Sequence, residues 1–300
     1  MLAAMLAALD PRPGAVVVDC TLGFAGHAAE LLKRVGPTGK LIGLDLDAAN
    51  LPPAREKLVA ISSNFELHHG NFAGLPAALA AAGLDGCDCL LADLGMSSMQ
   101  VDDPDRGFSF MRDGPLDMRM DRTRGRTAAD LLNTLPADEL ASAFRDLGDE
   151  PEAEKIAAAI AHRCSTQPIE RTRELMDLVT EAAPVTVNPH PVKGEPTPRQ
   201  QKIRPTARVF QALRILVNRE LANLQELLRV LPWCLRPGGR AAVISFHSGE
   251  DRLVKAAFKE GLRAGVYEQI CDEPVRSSFG ERTDNPRARS AKLRWARKSP

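Results

Sequence analysis

The chain has 300 residues, 44% apolar and 26% charged, enough to bury one large core or two ordinary ones. Its 39 Lys and Arg balance 39 Asp and Glu, which excludes a chain-wide field that recruits nucleic acid and leaves such binding to local patches. Cys20, Cys87, Cys89, Cys164, Cys234 and Cys271 are scattered, with no C-x-x-C pair and no His at ligand spacing, so neither a disulfide framework nor a metal site is indicated and buried thiols in a reducing cytoplasm are expected.

Residues 1–9 are apolar but too short to span a bilayer, and they lack a basic lead-in and a cleavage site, so they are expected to belong to the fold. Strand patterns at 15–19, 40–45, 65–69 and 87–93 then alternate with helical patterns at 28–35 and 48–60. That alternation predicts a parallel, doubly wound α/β sheet. Ligands of such sheets lie beyond the carboxyl ends of the strands, where Asp19, Asp45 and Asp93 all fall. Three carboxylates over one crevice suit a ligand with hydroxyls or positive charge. The stretch 93–120 that follows is polar and punctuated by glycine, and a loop this long inside a compact domain signals function.

From 127 to about 183 the periodicity is helical throughout. Thr127 and Asp130 have capping-box spacing, which starts a helix at Ala128, and further helices are predicted at 137–147, 152–163 and 172–182. Pro184, Pro189, Pro191, Pro196, Pro198 and Pro205 then break a segment that carries Lys193, Arg199, Lys202 and Arg204, which reads as a linker or mobile basic loop. Apolar residues from Val209 to Leu231 follow helical spacing, and Arg236-Pro-Gly-Gly239 is expected to end that helix before a strand at 240–246. Ala291, Leu293 and Trp295 alternate with Lys292 and Arg294 as a strand with one basic face. The predicted organisation is one α/β domain, 1–121 and 206–300, interrupted by a helical insertion and its Pro-rich basic linker at 122–205.

The turn after the first strand, Asp19-Cys-Thr-Leu-Gly23-Phe-Ala-Gly26-His27, is followed by Asp45 twenty-two residues after Gly23. A glycine turn admits a ligand to the backbone, and an acid about twenty residues on accepts both ribose hydroxyls, which fits a nucleoside cofactor. The turn has only G-x-x-G. A dinucleotide needs the full fingerprint to seat its pyrophosphate on the helix N-terminus, so the spacing favours S-adenosylmethionine over NAD, with a ligand-free structural turn left open. His27 reads equally as a cofactor contact or a backbone-bound helix start. Phe72 reads as core or as a wall for adenine, and His247 as a substrate-side group or a cap.

Four runs are more specific: DLGMSSMQVDDPDRGFSFMRDGPLDMRMD at 93–121, RVFQALRILVNRELANL at 208–224, GGRAAVISFHSGEDRLVK at 238–255 and NPRARSAKLR at 285–294. In this order they resemble the bacterial RsmH family, also called MraW, over nearly the whole chain. The resemblance implies a class I S-adenosylmethionine-dependent methyltransferase, a Rossmann-like sheet with an inserted helical domain, acting on the N4 amino group of a cytidine in the decoding region of 16S ribosomal RNA. It implies cofactor contacts at Ala25, Gly26, His27, Asp45, Phe72, Asp93 and Gln100. It also implies a cytoplasmic protein whose partner is 16S RNA or the small ribosomal subunit, with no membrane and no DNA.

This chain departs from the family pattern at Phe24-Ala25, where Arg-Gly is usual, at Leu46, where Arg is usual, and at Gly249, where Leu is usual. The usual amino-terminal His-x-Pro-Val is absent, which points to a start assigned late. Methyl transfer to an exocyclic amine needs alignment more than a nucleophile, so Asp93 is expected to organise the reacting end of the cofactor, with Asp117 and His247 as candidate catalytic contacts near the amino group. Two rivals stay open. A DNA amino-methyltransferase lacks its Pro-Pro-Tyr tetrapeptide here, since the only tyrosine is Tyr267. A non-catalytic RNA-binding assembly factor would follow if Phe24-Ala25 abolished turnover.

Overall fold

Short Val- and Leu-rich runs flanked by Gly and Pro become strands largely buried on both faces, as a parallel sheet requires: β1 (Val16–Asp19), β2 (Lys40–Asp45), β4 (Cys87–Asp93) and the second half of β5 (Leu235–Ser245), with β3 (Phe65–His69) a half-buried strand at the sheet's edge. Three more follow, β6 (Tyr267–Ile270), β7 (Val275–Arg276) and β8 (Lys292–Lys298). The computed structural model describes residues 1–192, 195–284 and 286–300, with the side chains at 98, 279, 282, 284, 286 and 287 outside that description. Lys193, Asn285 and the Arg287 side chain of the expected basic and family motifs therefore lie outside the described residues.

The sheet order is β3-β2-β1-β4-β5-β8-β6, with β7 on β8. Strands β1 to β5 run parallel, and β8 is antiparallel to β5, β6 and β7. The doubly wound α/β fold is thus present. Asp19 pairs with Gly43 and Leu91, Asp45 with His69, and Asp93 with Ile244, so the three acids end their strands at one edge. Period-two alternation divides the core. Val17, Leu41, Leu91 and Leu293 meet the helices Leu2–Leu9, Gly26–Val35 and Leu51–Val59, while Val18, Ile42, Leu90 and Val243 meet Leu75–Ala81, Glu220–Cys234 and Ser248–Arg263. Residues 2–9 are part of the fold, with Met5 and Leu9 buried. Among the described residues no helix is long and apolar enough to cross a membrane.

The chain forms two compact units, this α/β unit of Met1–Gly95 with Leu221–Pro300 and a helical unit of Met96–Glu220. The helical unit is larger than the 122–205 insertion expected from the sequence. Its core joins Phe144, Ile156, Leu175 and Leu213 to Phe108, Leu116 and Met118 of the stretch first read as a polar loop. That stretch contains a short helix, Ser98–Asp102, and is clamped by Asn218, whose amide donates to the Met118 carbonyl and accepts from Met120 N–H, both at 2.8 Å.

Three local expectations are corrected. The helix expected from Val209 to Leu231 is two, Arg204–Asn218 and Glu220–Cys234, because Arg219 adopts a left-handed φ of 52°. Arg236-Pro-Gly-Gly239 does not lie outside the sheet: it is a bulge within β5, where residues 235 to 240 oppose only 87 to 89. The Pro-rich segment is not structureless, since Thr197 and Gln200 form a capping box that starts the helix Pro198–Lys202 with proline in its first turn.

The basic face of β8 is internally neutralised. Lys292 Nζ and Arg294 Nε donate to Asp251 at 2.9 and 2.6 Å, Arg297 pairs with Glu268 at 2.8 Å, and Lys298 donates to the carbonyls of Pro232 and Leu235. All four cations are thus engaged within the α/β unit.

Phe144 is fully buried in the helical core, so Phe144→Ala is expected to lower stability by about 3–5 kcal/mol, read as a shifted midpoint in urea unfolding.

Candidate active site

The turn after β1 builds the site. Asp19 Oδ1 accepts from Thr21 N–H at 3.1 Å and faces Thr21 Oγ1 at 3.4 Å. The same hydroxyl accepts the backbone N–H of Asp93 at 2.7 Å, so Thr21 links the ends of β1 and β4. Gly23, at a φ of 48° that favours glycine, donates its N–H to Asp45 Oδ2 at 2.7 Å. Asp45 Oδ1 accepts from Asp47 N–H at 2.8 Å and from the Asn50 amide at 3.1 Å. Oδ2 makes the single bond to Gly23, and a carboxylate oxygen accepts two, which leaves capacity for a ribose hydroxyl.

Ala25 caps the helix Gly26–Val35 with a left-handed φ of 54°. A left-handed φ favours glycine, and here a buried methyl occupies the position under backbone strain. His27, in the first turn, places Nε2 3.4 Å from Asp93 Oδ2. His27 Nδ1 and Asp93 Oδ1 are buried without a hydrogen-bond partner among the described residues.

Charge is crowded here. Burial pushes the Asp19 carboxyl up to about 6, opposed by His27 and the Thr21 N–H and reinforced by Asp93 and Asp45. Burial likewise raises Asp45 against the hydrogen bonds it accepts. For His27, burial works against the imidazolium, but the Asp93 hydrogen bond and the charges of Asp93 and Asp19 outweigh it and raise the pKa. The cluster therefore favours a bound cation or hydrogen-bond donors.

The structure brings Ala25, Gly26, His27, Asp45 and Asp93 together at this edge. Phe72 lies half-buried just beyond β3 in the turn Phe72–Gly74, capped by Asn71 and packed on the sheet. His247 follows β5, the neighbour of β4, as the cap of Ser248–Arg263; the Glu250 carboxylate accepts the N–H groups of Phe246 and His247 and lies 3.2 Å from His247 Nε2. Gln100 and Asp117 belong to the helical unit. Gln100 Oε1 accepts Ser97 N–H at 3.0 Å in a capping box. Asp117 accepts from Arg119 Nε and Nη2 at 2.7 and 2.9 Å and lies 3.6 Å from Arg122. Burial raises its pKa, but those cations outweigh burial and lower it, which keeps a carboxylate.

Thr21, Asn50 and Glu250 were not anticipated. The Asp-x-Thr spacing at 19–21 is a recognisable side-chain turn, but no local pattern announces that its hydroxyl reaches β4.

A sequence profile of the MraW methylase family matches residues 1–299. The chain belongs to the MraW methylase family. Relatives named "Ribosomal RNA small subunit methyltransferase H" include one from Geobacter sp. (strain M21), 43% identical over 98% of this chain and 96% of its own length. One from Geobacter sulfurreducens is 44% identical over 99% of this chain and 97% of its own length. Among solved structures, Aeropyrum pernix fibrillarin in complex with natively bound S-adenosyl-L-methionine overlaps 98% of this chain and 73% of that chain at a TM-score of 0.43 and 12% identity. S-adenosylmethionine is the methyl donor that goes with membership of a methylase family. The donor set fits it: Asp45 retains capacity for a hydroxyl, and the unpartnered Asp93 Oδ1 accepts an ammonium or hydroxyl.

Two outcomes follow. Ala25→Gly relieves the left-handed strain and is expected to raise stability by about 0.5–1 kcal/mol in chemical denaturation; a lower midpoint would mean that the buried methyl contributes more than the strain costs. For Asp19, a folded pKa of about 6 means that the folded state holds a proton which the unfolded chain gives up above its ordinary value near 3.8. Its contribution to stability is therefore full below about 4 and falls as pH rises to about 6. Asp19→Asn removes this loss, so the variant should be more stable than wild type by on the order of 1–3 kcal/mol at pH 7, with the difference vanishing near pH 4 in melts across that range.

Proposed function

We propose that this chain methylates the N4 amino group of a cytidine in the decoding region of 16S ribosomal RNA, acting in the cytoplasm on the RNA or the small subunit. The observation that carries this reading is the row of acids at the carboxyl edge, Asp19 and Asp45 buried and Asp93 partly so, with Asp93 and His27 presenting unpartnered atoms, in a chain whose relatives are named as small-subunit ribosomal RNA methyltransferases.

S-adenosylmethionine supplies an electrophilic methyl group. Alignment at that methyl provides most of the rate, and this chain's residues supply alignment. In the α/β unit, Asp45 would hold the ribose, the turn Ala25-Gly26-His27 would lie against the cofactor, Phe72 would form an apolar wall, and Asp93 would order the reacting end. The cytosine amino lone pair is delocalised into its ring, so acceptors on the N–H groups favour attack. Asp117, held ionised by Arg119 and Arg122, and His247 beside Glu250 are assigned that task.

No covalent adduct to the base is needed. The thiols agree: burial pushes Cys89 up to about 12 and Cys234 to about 11, far from a reactive thiolate. A base within folded RNA must leave its stack to be modified. With the cations of β8 engaged, the exposed Arg199, Lys202 and Arg204 of the helical unit are left to meet phosphates.

A second reading, a non-catalytic RNA-binding assembly factor, is favoured by the strained Ala25 beside Phe24. Labelled methyl transfer to unmodified small subunits, followed by nucleoside analysis, separates the two. N4-methylcytidine should form, and Asp93→Ala should reduce it by about 100-fold or more. RNA binding without cofactor binding or label would overturn the catalytic reading, and another methylated nucleoside would overturn the N4 assignment.

A further inference from the structure

On its β1 side the Asp93 backbone is held by a side chain and not by the sheet ladder. Leu91 still follows the parallel pattern, its carbonyl accepting the Cys20 N–H at 2.8 Å, but β1 ends at Asp19 and the chain turns. The Asp93 N–H, the next donor of β4 on that side, bonds the Thr21 hydroxyl at 2.7 Å in place of a carbonyl of β1. On the other side β4 stays paired, with Asp93 opposite Ile244 and the Leu94 N–H donating to the Ile244 carbonyl at 2.9 Å.

The hydroxyl is itself fixed. Having accepted from Asp93 it keeps one O–H to donate, and it faces Asp19 Oδ1 at 3.4 Å; the same carboxylate oxygen accepts the Thr21 N–H at 3.1 Å. These contacts close a side-chain turn, and the β-branched side chain is restricted at χ1. Asp19 is buried, so little solvent competes for them.

The Asp93 carboxylate, by contrast, has few holds of its own. His27 Nε2 lies 3.4 Å from Oδ2, and Oδ1 is buried with no hydrogen-bond partner among the described residues. Its position therefore follows from its backbone, pinned between the Thr21 hydroxyl and β5. The same turn reaches Asp45 by a different bond, from Gly23 N–H, and Asp47 N–H and the Asn50 amide hold Asp45 independently. Loss of the Thr21 hydroxyl thus disturbs Asp93 while Asp45 keeps its donors.

We propose that Thr21 is a positioning residue for methyl transfer, its hydroxyl aiming the Asp93 carboxylate at the methionine end of S-adenosylmethionine. The inference rests on the reading above in which Asp93 orders that end and Asp45 holds the ribose. Thr21 acts through the Asp93 backbone and not by a bond to the cofactor.

The test is titration calorimetry on the full chain with S-adenosylmethionine, S-adenosylhomocysteine and 5′-methylthioadenosine, the last of which keeps adenine, ribose and thioether but lacks the amino-acid end. Thr21→Val preserves the shape of the side chain and removes the acceptor. It should weaken S-adenosylmethionine and S-adenosylhomocysteine by about tenfold and leave methylthioadenosine within about twofold of wild type. Thr21→Ser retains the hydroxyl with a freer χ1 and should recover most of the lost affinity. A merely structural role would spread through Gly23 to Asp45 and weaken all three ligands alike. Melting curves establish that the variants are folded; if Thr21→Val is not, Thr21→Ala carries the same comparison.

Wild-type affinities in folded Thr21→Val, equal losses for all three ligands, or a Thr21→Ser variant as weak as Thr21→Val overturn the inference. Asp93→Asn separates it from the reading beneath it. A loss in Asp93→Asn confined to the two ligands with an amino-acid end, and absent from Thr21→Val, keeps the role of Asp93 and removes that of Thr21. A wild-type ratio of S-adenosylhomocysteine to methylthioadenosine affinity in Asp93→Asn removes the assignment of Asp93 itself. Because no RNA enters these titrations, the selective losses would stand even if the methylated nucleoside proved not to be N4-methylcytidine.

Discussion

Three carboxylates, Asp19, Asp45 and Asp93, end neighbouring parallel strands at one edge, and the fold must hold this like charge close together and largely out of water. Each turn that follows a strand is shaped by that demand. Asp19 accepts Thr21 N–H, Asp45 accepts N–H groups from Gly23 and Asp47, and Asp93 has His27 beside it. Burial raises the Asp19 pKa, the Asp93 hydrogen bond and the charges of Asp93 and Asp19 raise that of His27 against burial, and Asp93 Oδ1 is left unpartnered. An edge so arranged suits a cationic or hydroxyl-bearing ligand, which would offer these acceptors the donors they lack.

The helical unit follows a different rule. It has its own apolar core, with Phe144 and Leu213 at its centre, and it draws Phe108, Leu116 and Met118 out of a sequence rich in charge. Those few apolar anchors and the Asn218 clamp hold the polar residues between them, so Asp117 and its arginines are presented by a fixed backbone. The segment is polar for most of its length, and its sparse hydrophobic residues keep it ordered.

Much of the fold was legible because the parallel strands are short apolar runs between Gly, Pro and helical periods; β2, β3 and β4 fall where the pattern puts them. The breaks were not legible. The turn at Arg219 needs a left-handed residue, yet an arginine there interrupts no periodicity. The bulge at Arg236–Gly239 looks like a helix stop because glycine and proline serve both. The basic face of β8 carries no local sign of its partners, because Asp251 and Glu268, which pair with Arg294 and Arg297, lie elsewhere in the chain.

The sequence by itself determined the alternation of strands and helices, the acids at the strand ends, the cap at Thr127 and the family, because each is written in local spacing or in a continuous motif. Only the tertiary structure decided that Thr21 bridges Asp19 to Asp93, that Ala25 is strained, and which carboxylates pair with the cations of β8. The physical reason is the same in each case: hydrogen bonds, charge pairing and burial depend on neighbours that parallel crossovers and helix docking bring together from distant parts of the chain.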